Sequence, residues 1–314
     1  MSDQAGVVCC LVGEEQFALH GHDVRLVTRA DGMRPEAGLN HRVGTIRHRD
    51  EVVPVYSLAG LIGRAKRAAS DSHVVVTNAG HASLGILVDR AVRSKHVEKR
   101  ELLPLPALVG PLARRWFDGI LRVGDVSCLL LRPSGLLAGA TAERRELPPP
   151  PAPRPGPTST RAAVAANMVV LFSSAALPGG REQRYALPAP QVAAIVQALP
   201  ALQLPGAPAF VKELAWWQGA AVPILDFGER TVASDKCNRH LLARGRDGGW
   251  MGFAVDADVT LYRAAADDQL VRQAQRSSAF VAGVFVVGEE QVALLNLDAL
   301  VAFGEQSPLE LCAG

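Results

Sequence analysis

The sequence predicts a mainly β protein in which one domain, built from short strands, occurs twice. Three observations predict this. Four segments of the first half reappear in the second half in the same order and at nearly constant spacing. Apolar runs of strand length alternate with turn-forming residues in both halves, and helical periodicity is scarce. A proline tract divides the two halves.

The repeats are "FALHGHDVRLVTRA" from Phe17 against "YALPAPQVAAIVQA" from Tyr185, and "VVPVYSL" from Val52 against "AVPILDF" from Ala221. They continue with "HVVVTNAGHASLGILVDRAV" from His73 against "HLLARGRDGGWMGFAVDADV" from His240. The last is "FDGILRVGDVSCLLL" from Phe117 against "VAGVFVVGEEQVALL" from Val281. Their spacing stays between 164 and 169 residues, so the chain carries a duplicated domain. Between the copies runs "LPPPPAPRPGPTST", residues 147–160, with seven prolines among the ten residues from Pro148 to Pro157. Proline cannot donate ladder hydrogen bonds or continue a helix, so this stretch reads as a semi-rigid polyproline linker. The domains are therefore expected at 1–146 and 161–314.

Taken in chain order, "GVVCCLV" and "NMVVLFS" open the copies as apolar strands, followed by a second strand at "QFAL" or "RYAL". "VRLVTRA" and "VAAIVQA" fit either a short strand or one helical turn, and periodicity does not decide between them. "RVGTIRHRDEVVPVYSL" predicts two strands around a polar turn at Arg49-Asp50. Pro54 and Pro223 each fall inside a Val/Ile run, which predicts an irregular strand at both places. "SLAGLIG" predicts a short helix ended by Gly63, and strands resume at "HVVVTNA", "LGILVD", "GILRVG" and "VSCLLL". Each copy thus has about eight to ten short strands, as small barrels do.

These residues resemble the CheW-like domains of bacterial chemotaxis. The first copy carries "FAL" at Phe17–Leu19, Val24 and Val27, "GTIRHRDEVVPVYSL" at Gly44–Leu58, "GILVD" at Gly85–Asp89 and "DGILRVGDVSCLLL" at Asp118–Leu131. The second carries "YALP" at Tyr185–Pro188, "AVPILDF" at Ala221–Phe227, "GFAVD" at Gly252–Asp256 and "AGVFVVGEEQVALLNLDAL" at Ala282–Leu300. The resemblance implies two intertwined five-stranded Src-homology-3-like barrels per domain, in tandem. It also implies a non-catalytic adaptor joining chemoreceptor cytoplasmic signalling tips to the regulatory domain of a CheA-type histidine kinase. Such an adaptor is cytoplasmic and recruited to membrane-associated receptor arrays.

In this family the arginine of an R-G turn before V-V-P-V belongs to the receptor-facing surface. Here that position is Arg49, followed by Asp50 in place of glycine, while the second copy has Gln218-Gly219. The family's earlier glycine is Gly44 in the first copy and Glu213 in the second. The resemblance therefore places the standard partner on the first copy. Arg47, alternating with Arg49, would share a strand face with it and suit an acidic partner. Val27 and Asp89 hold further family positions, and Asp256 repeats Asp89. Trp216-Trp217 points its rings to opposite faces of a strand, so one of them is a candidate interface anchor.

Charge and composition narrow the alternatives. Residues 1–146 carry 20 Lys and Arg against 16 Asp and Glu, whereas residues 161–314 carry 12 against 15. The halves thus present different electrostatic surfaces. The basic half has no row of aromatic residues on which single-stranded bases would stack, so no nucleic-acid partner is expected. Five cysteines without zinc spacing read as reduced small hydrophobes, and neither metal nor cofactor is expected. No apolar run reaches bilayer length, so no direct membrane insertion is expected. None of the nucleophile-elbow, phosphate-loop, dinucleotide or zinc-protease motifs occurs, so no enzyme is expected. The competing reading is a regulatory β-barrel protein outside chemotaxis whose divergent second domain binds a peptide or small molecule.

Overall fold

A computed structural model describes residues 4–36, 40–64, 71–92, 95–123, 126–141, 168–174, 183–208, 210–227, 238–245, 248–255, 258–263 and 280–306. The proline tract, Asp256, Cys237 and Cys312 lie outside these residues. By its contacts the chain forms two compact units, Met1–Leu105 with Leu112–Leu147, and Pro106–Pro111 with Pro148–Gly314.

The first unit carries β1 (Gln4–Val12), β2 (Glu15–His20), β3 (Val24–Arg29), β4 (Arg34–Pro35), β5 (Arg42–His48) and β6 (Glu51–Ser57). After helix α1 (Leu58–Leu61) follow β7 (His73–Ala79), β8 (Ala82–Val88), β9 (Arg90–Ala91), β10 (Lys95–Glu98) and β11 (Leu102–Leu103). Helix α2 (Gly110–Trp116), β12 (Phe117–Val123), β13 (Val126–Leu131) and helix α3 (Pro133–Thr141) complete the sequence copy. Two sheets result, ordered β10-β1-β2-β13-β12-β11, with β9 on β1, and β3-β7-β8-β6-β5-β4. Without their two-residue strands both are five-stranded, as the resemblance implied. They are intertwined because the chain starts the first sheet, leaves it after β2 to build the second, and returns at β9. The return is sealed by a parallel pair, Leu129 opposite Phe17 and Leu130 opposite Ala18.

The second unit repeats this with β14 (Met168–Ser174), β15 (Gln183–Pro188), β16 (Val192–Gln197), β17 (Ala201–Leu202), β18 (Val211–Trp217) and β19 (Ala220–Leu225). It continues through β20 (Arg239–Arg244), β21 (Trp250–Val255), β22 (Thr260–Arg263), β23 (Val281–Val287), β24 (Glu290–Leu295) and helix α4 (Leu297–Gln306). Its sheets run β22-β14-β15-β24-β23 and β16-β20-β21-β19-β18-β17, the same orders as in the first unit. The main core gathers Phe172, Tyr185, Phe210 and Phe253, with Leu108 of the Pro106–Pro111 segment also buried in it. The rings of Phe172 and Phe253 meet at 5.4 Å and 48°, the tilted geometry aromatic pairs favour.

Three local features explain the elements. The segments that fit strand or helix are strands, β3 and β16, because each has a partner, β7 or β20, and alternates half-buried with exposed residues. α1 starts where the Ser57 hydroxyl accepts the Gly60 N–H at 3.2 Å and ends at Gly63, whose φ is +73°. Pro54 does not break its strand. It pairs with Thr45 on β5, and pairing to β8 begins only at Val55, so its missing N–H falls where β6 has no neighbour on that side. The irregularity appears instead on the facing strand, as a register shift between Arg42 and Gly44. Pro223 repeats this, with the shift between Val211 and Glu213.

The parallel β6–β8 and β19–β21 pairs each need a glycine. A Cβ on Gly85 would lie 2.8 Å from Val55 Cγ2, and one on Gly252 would lie 2.5 Å from Ile224 Cδ1. Gly85→Val is therefore expected to cost about 1–3 kcal/mol through overpacking, read as a lowered midpoint of urea unfolding.

Candidate functional site

The β5–β6 hairpin presents the predicted surface. His48 pairs with Glu51, leaving Arg49 and Asp50 as a two-residue turn with both side chains exposed. Arg49 has φ +56°, in the left-handed region that costs a residue with a Cβ roughly 1–2 kcal/mol. Glycine would sit there without strain, so the fold does not ask for this arginine. The corresponding turn has Gln218 at +46° and Gly219 at +81°. Positive φ at both turn residues is the type I′ geometry that suits the strands' twist.

Arg47 stands on the outward face opposite Val52, which is 62% exposed. The strand ends one residue before Arg49, so the two arginines do not share a strand face as the alternation suggested; Arg49 projects from the turn. Among the described residues neither arginine has an acidic partner. Glu51, next in the chain, does have one. Arg25 Nη1 donates to Ser83 Oγ at 2.7 Å, Ser83 Oγ donates to Glu51 Oε2 at 2.8 Å, and the guanidinium is 3.4 Å from Glu51. This network brings Arg25, on the edge strand β3, beside the hairpin, so the sheet curls as a barrel wall does. Partly solvated, the pair contributes no more than about 1 kcal/mol. The sequence reading missed Arg25 and Ser83, because residues 26–58 positions apart show no local pattern.

The remaining predicted residues are dispersed. Val27 lies on β3, 39% exposed between the outward-facing Arg25 and Arg29. The Asp89 carboxylate is engaged: it accepts the Gly13 N–H at 2.6 Å, while Asp89 N–H donates to Leu11 O at 3.0 Å, locking the β1–β2 turn. Gly44 is buried, and a Cβ there would collide with the Arg34 carbonyl oxygen of β4. Its counterpart Glu213 is tolerated because β17 pairs with Leu214 and Ala215 and stops there. Trp217 packs on the small core of Ala215, Val222 and Ile224, and Trp216 lies on the opposite strand face, each half-buried.

Glu213 faces a buried histidine, His240, with Oε1 3.8 Å from Nε2. His240 Nδ1 accepts the Leu199 N–H at 3.2 Å, which leaves the ring proton on Nε2. Burial, helped by the charge of Lys212, pushes His240 down to about 4, and burial pushes Glu213 up. A histidine whose folded value lies below its unfolded value of about 6.5 contributes stability above pH 6.5 that is lost as pH falls towards 4. The loss approaches about 3 kcal/mol, offset in part because folded Glu213 takes up its proton before the unfolded chain does. Urea titrations between pH 7 and pH 4, followed by tryptophan fluorescence, should show this loss in the second unit. His240→Gln, which keeps an acceptor for Leu199, should flatten it.

Among the described residues no helix is long and apolar enough to cross a membrane. Comparison with known proteins agrees with the two-copy layout. No curated protein matches the sequence. Solved structures that match include the scaffolding protein TtCheW from Thermoanaerobacter tengcongensis, at 21% identity and a TM-score of 0.38, covering 42% of this chain and 91% of that one. The family profile described as "CheW-like domain" matches twice, over residues 6–141 and 179–304. With most of its length matched, and with strand order repeated between the units, the chain belongs to the CheW-like domain family.

Proposed function

We propose that the protein is a non-catalytic cytoplasmic adaptor coupling chemoreceptor signalling tips to the regulatory domain of a CheA-type histidine kinase. The observation that carries this reading is the β5–β6 turn. In a chain that matches the CheW-like family twice, the arginine read as the family's receptor-facing residue, Arg49, holds a backbone conformation that disfavours it. Strain of this kind persists where a side chain is retained for contact rather than for folding. The receptor-facing surface is Arg49 with Arg47, Asp50 and Val52. The second copy, with Gln218, Glu213 and the two tryptophans, serves a different contact.

Size-exclusion chromatography of the full chain with a receptor signalling tip and with the kinase regulatory domain tests the reading. Co-elution with both supports an adaptor; elution apart from both overturns it. The copies at 1–146 and 161–314, joined by the linker at 147–160, are proposed to fold as separate domains. Heating the intact chain should then give two transitions. A single one, in which Trp116 and the three tryptophans of the second copy change together, would mean that the copies do not fold independently.

A further inference from the structure

Six residues of the first sequence copy belong to the second unit. The chain leaves the first unit after Leu105, runs Pro106–Pro111 as part of the second, and re-enters the first at Leu112. The segment reads "PALVGP". Proline at both ends fixes φ and withholds two backbone donors, and Ala107–Val109 form a single 3-10 turn, so the segment is stiff and needs no sheet partner. Leu108 and Val109 are buried, with 3% and 0% exposure. Leu108 lies in the main core of the second unit with Phe210, Leu297 and Leu300. Helix α4 lies against the Ala107–Val109 turn. Gly110 follows at φ +77° and ψ 161°, a conformation kept almost entirely for glycine, and a Cβ there would stand 3.2 Å from Pro208 Cδ. The seat is itself held in shape. Phe210 O accepts the Asp226 N–H at 2.9 Å, Phe280 O accepts the Asn296 N–H at 2.8 Å, and the two phenylalanine rings meet at 5.2 Å and 53°. The terminal helix of the first copy is covered by other means, since α3 lies against β7 and α1 of its own unit.

We propose that Pro106–Pro111 is a strap that the first copy lends to the second unit, and that its seat against helix α4 is a docking site for a leucine-valine-glycine segment, occupied in cis by this one. A segment that served only its own copy would bury its apolar side chains there, whereas Leu108 is buried among residues of the other copy. The strap carries no strand, so it can leave its seat without breaking a sheet ladder. Withdrawn, it bares an apolar seat on the second unit. What refills that seat has the same shape: a leucine to bury, a valine beside it, and a glycine free to adopt positive φ against Pro208. Two transitions on heating remain the expectation for the intact chain, with the second now sensitive to residue 108.

The test uses the full-length chain. Leu108→Asp puts a carboxylate into the apolar seat and should withdraw the strap. Hydrogen exchange followed by mass spectrometry should then speed in residues 210–225 and 281–306, while β7 and β8 of the first unit stay unchanged. Leu108→Ala is gentler and stands in where the aspartate variant folds poorly; it should give the same regional pattern with exchange faster by about tenfold, as truncating a buried leucine implies. A fluorescein-labelled peptide of residues 104–113, followed by anisotropy, should bind the Leu108→Asp protein. It should bind wild type about tenfold more weakly, because there the strap already fills the seat. The same peptide carrying Leu108→Asp should bind neither protein. Unchanged exchange in the second unit of both variants would overturn the strap, and so would faster exchange in β7 and β8 with the second unit still protected. Equal peptide affinity for wild type and the Leu108→Asp protein, or no affinity for the latter, would overturn the docking site.

Discussion

Reversing the charge at the first turn, Arg49→Glu, should weaken association with a receptor signalling tip by on the order of several kcal/mol. An acidic contact surface would then face like charge, and the half that carries the turn would lose part of its basic excess. Gln218→Glu in the matching turn of the second copy should change the same association little. Arg49→Gly separates binding from folding. Because the residue sits at φ +56°, glycine relieves the turn, and stability should stay within about 1 kcal/mol of wild type while binding falls. Isothermal titration of these variants provides the measurement. Equal losses from Arg49→Glu and Gln218→Glu would make the two copies redundant. No loss from either would move the interface away from these turns. Trp216→Ala or Trp217→Ala should instead lower binding to whatever partner the second copy takes, by about 2 kcal/mol if one ring is an anchor.

The largest expected effect on stability is Gly44→Glu, which gives the first copy the residue of the second. A side chain at this buried position runs into the carbonyl oxygen of Arg34 and the Met33 side chain, so β4 has to leave the sheet or β5 has to shift. The carboxylate also lands at a buried site without the histidine that faces Glu213. Overpacking and an unpaired buried charge together should cost about 3–5 kcal/mol. For a unit of this size, thermal unfolding should then fall by on the order of 10 °C. The reciprocal change, Glu213→Gly, should be mild, since β17 ends before it reaches that position.

The strands were legible because most are short apolar runs bounded by Gly, Asp or Asn, and because the duplication shows each of them twice. The turn at Arg49 was legible by counting from Pro54, since a two-residue hairpin leaves no freedom in register. What sequence left open was geometry set by distant strands. β3 carries too few residues to distinguish a strand from a helical turn, and its partner β7 decides. Arg47 and Arg49 read as one face because alternation assumes the strand continues, whereas it ends at His48. Asp89 read as a strand-end residue with room for a binding role, yet it holds a turn 76 residues earlier in the chain. The cysteines read as small hydrophobes, and Cys10 behaves as one.

The parallel seal between β2 and β13 has a consequence for how the chain is made. Residues 24–88 hold every strand of the second sheet of the first copy, so it can assemble while the rest of the copy is still being synthesised. The first sheet cannot. Phe17 and Ala18 wait for Leu129 and Leu130, so a loop of about 110 residues has to close late, against a chain entropy that grows with the logarithm of its length. Until the ribosome has released β13, the core-facing edge of β2 is an open hydrogen-bonding edge beside exposed Phe17, a site where two nascent chains can pair wrongly. The second copy repeats the delay between Tyr185 and Ala293. Chains truncated before residue 129 should therefore aggregate although their middle sheet is complete, and slowing translation after β13 should raise the yield of soluble protein.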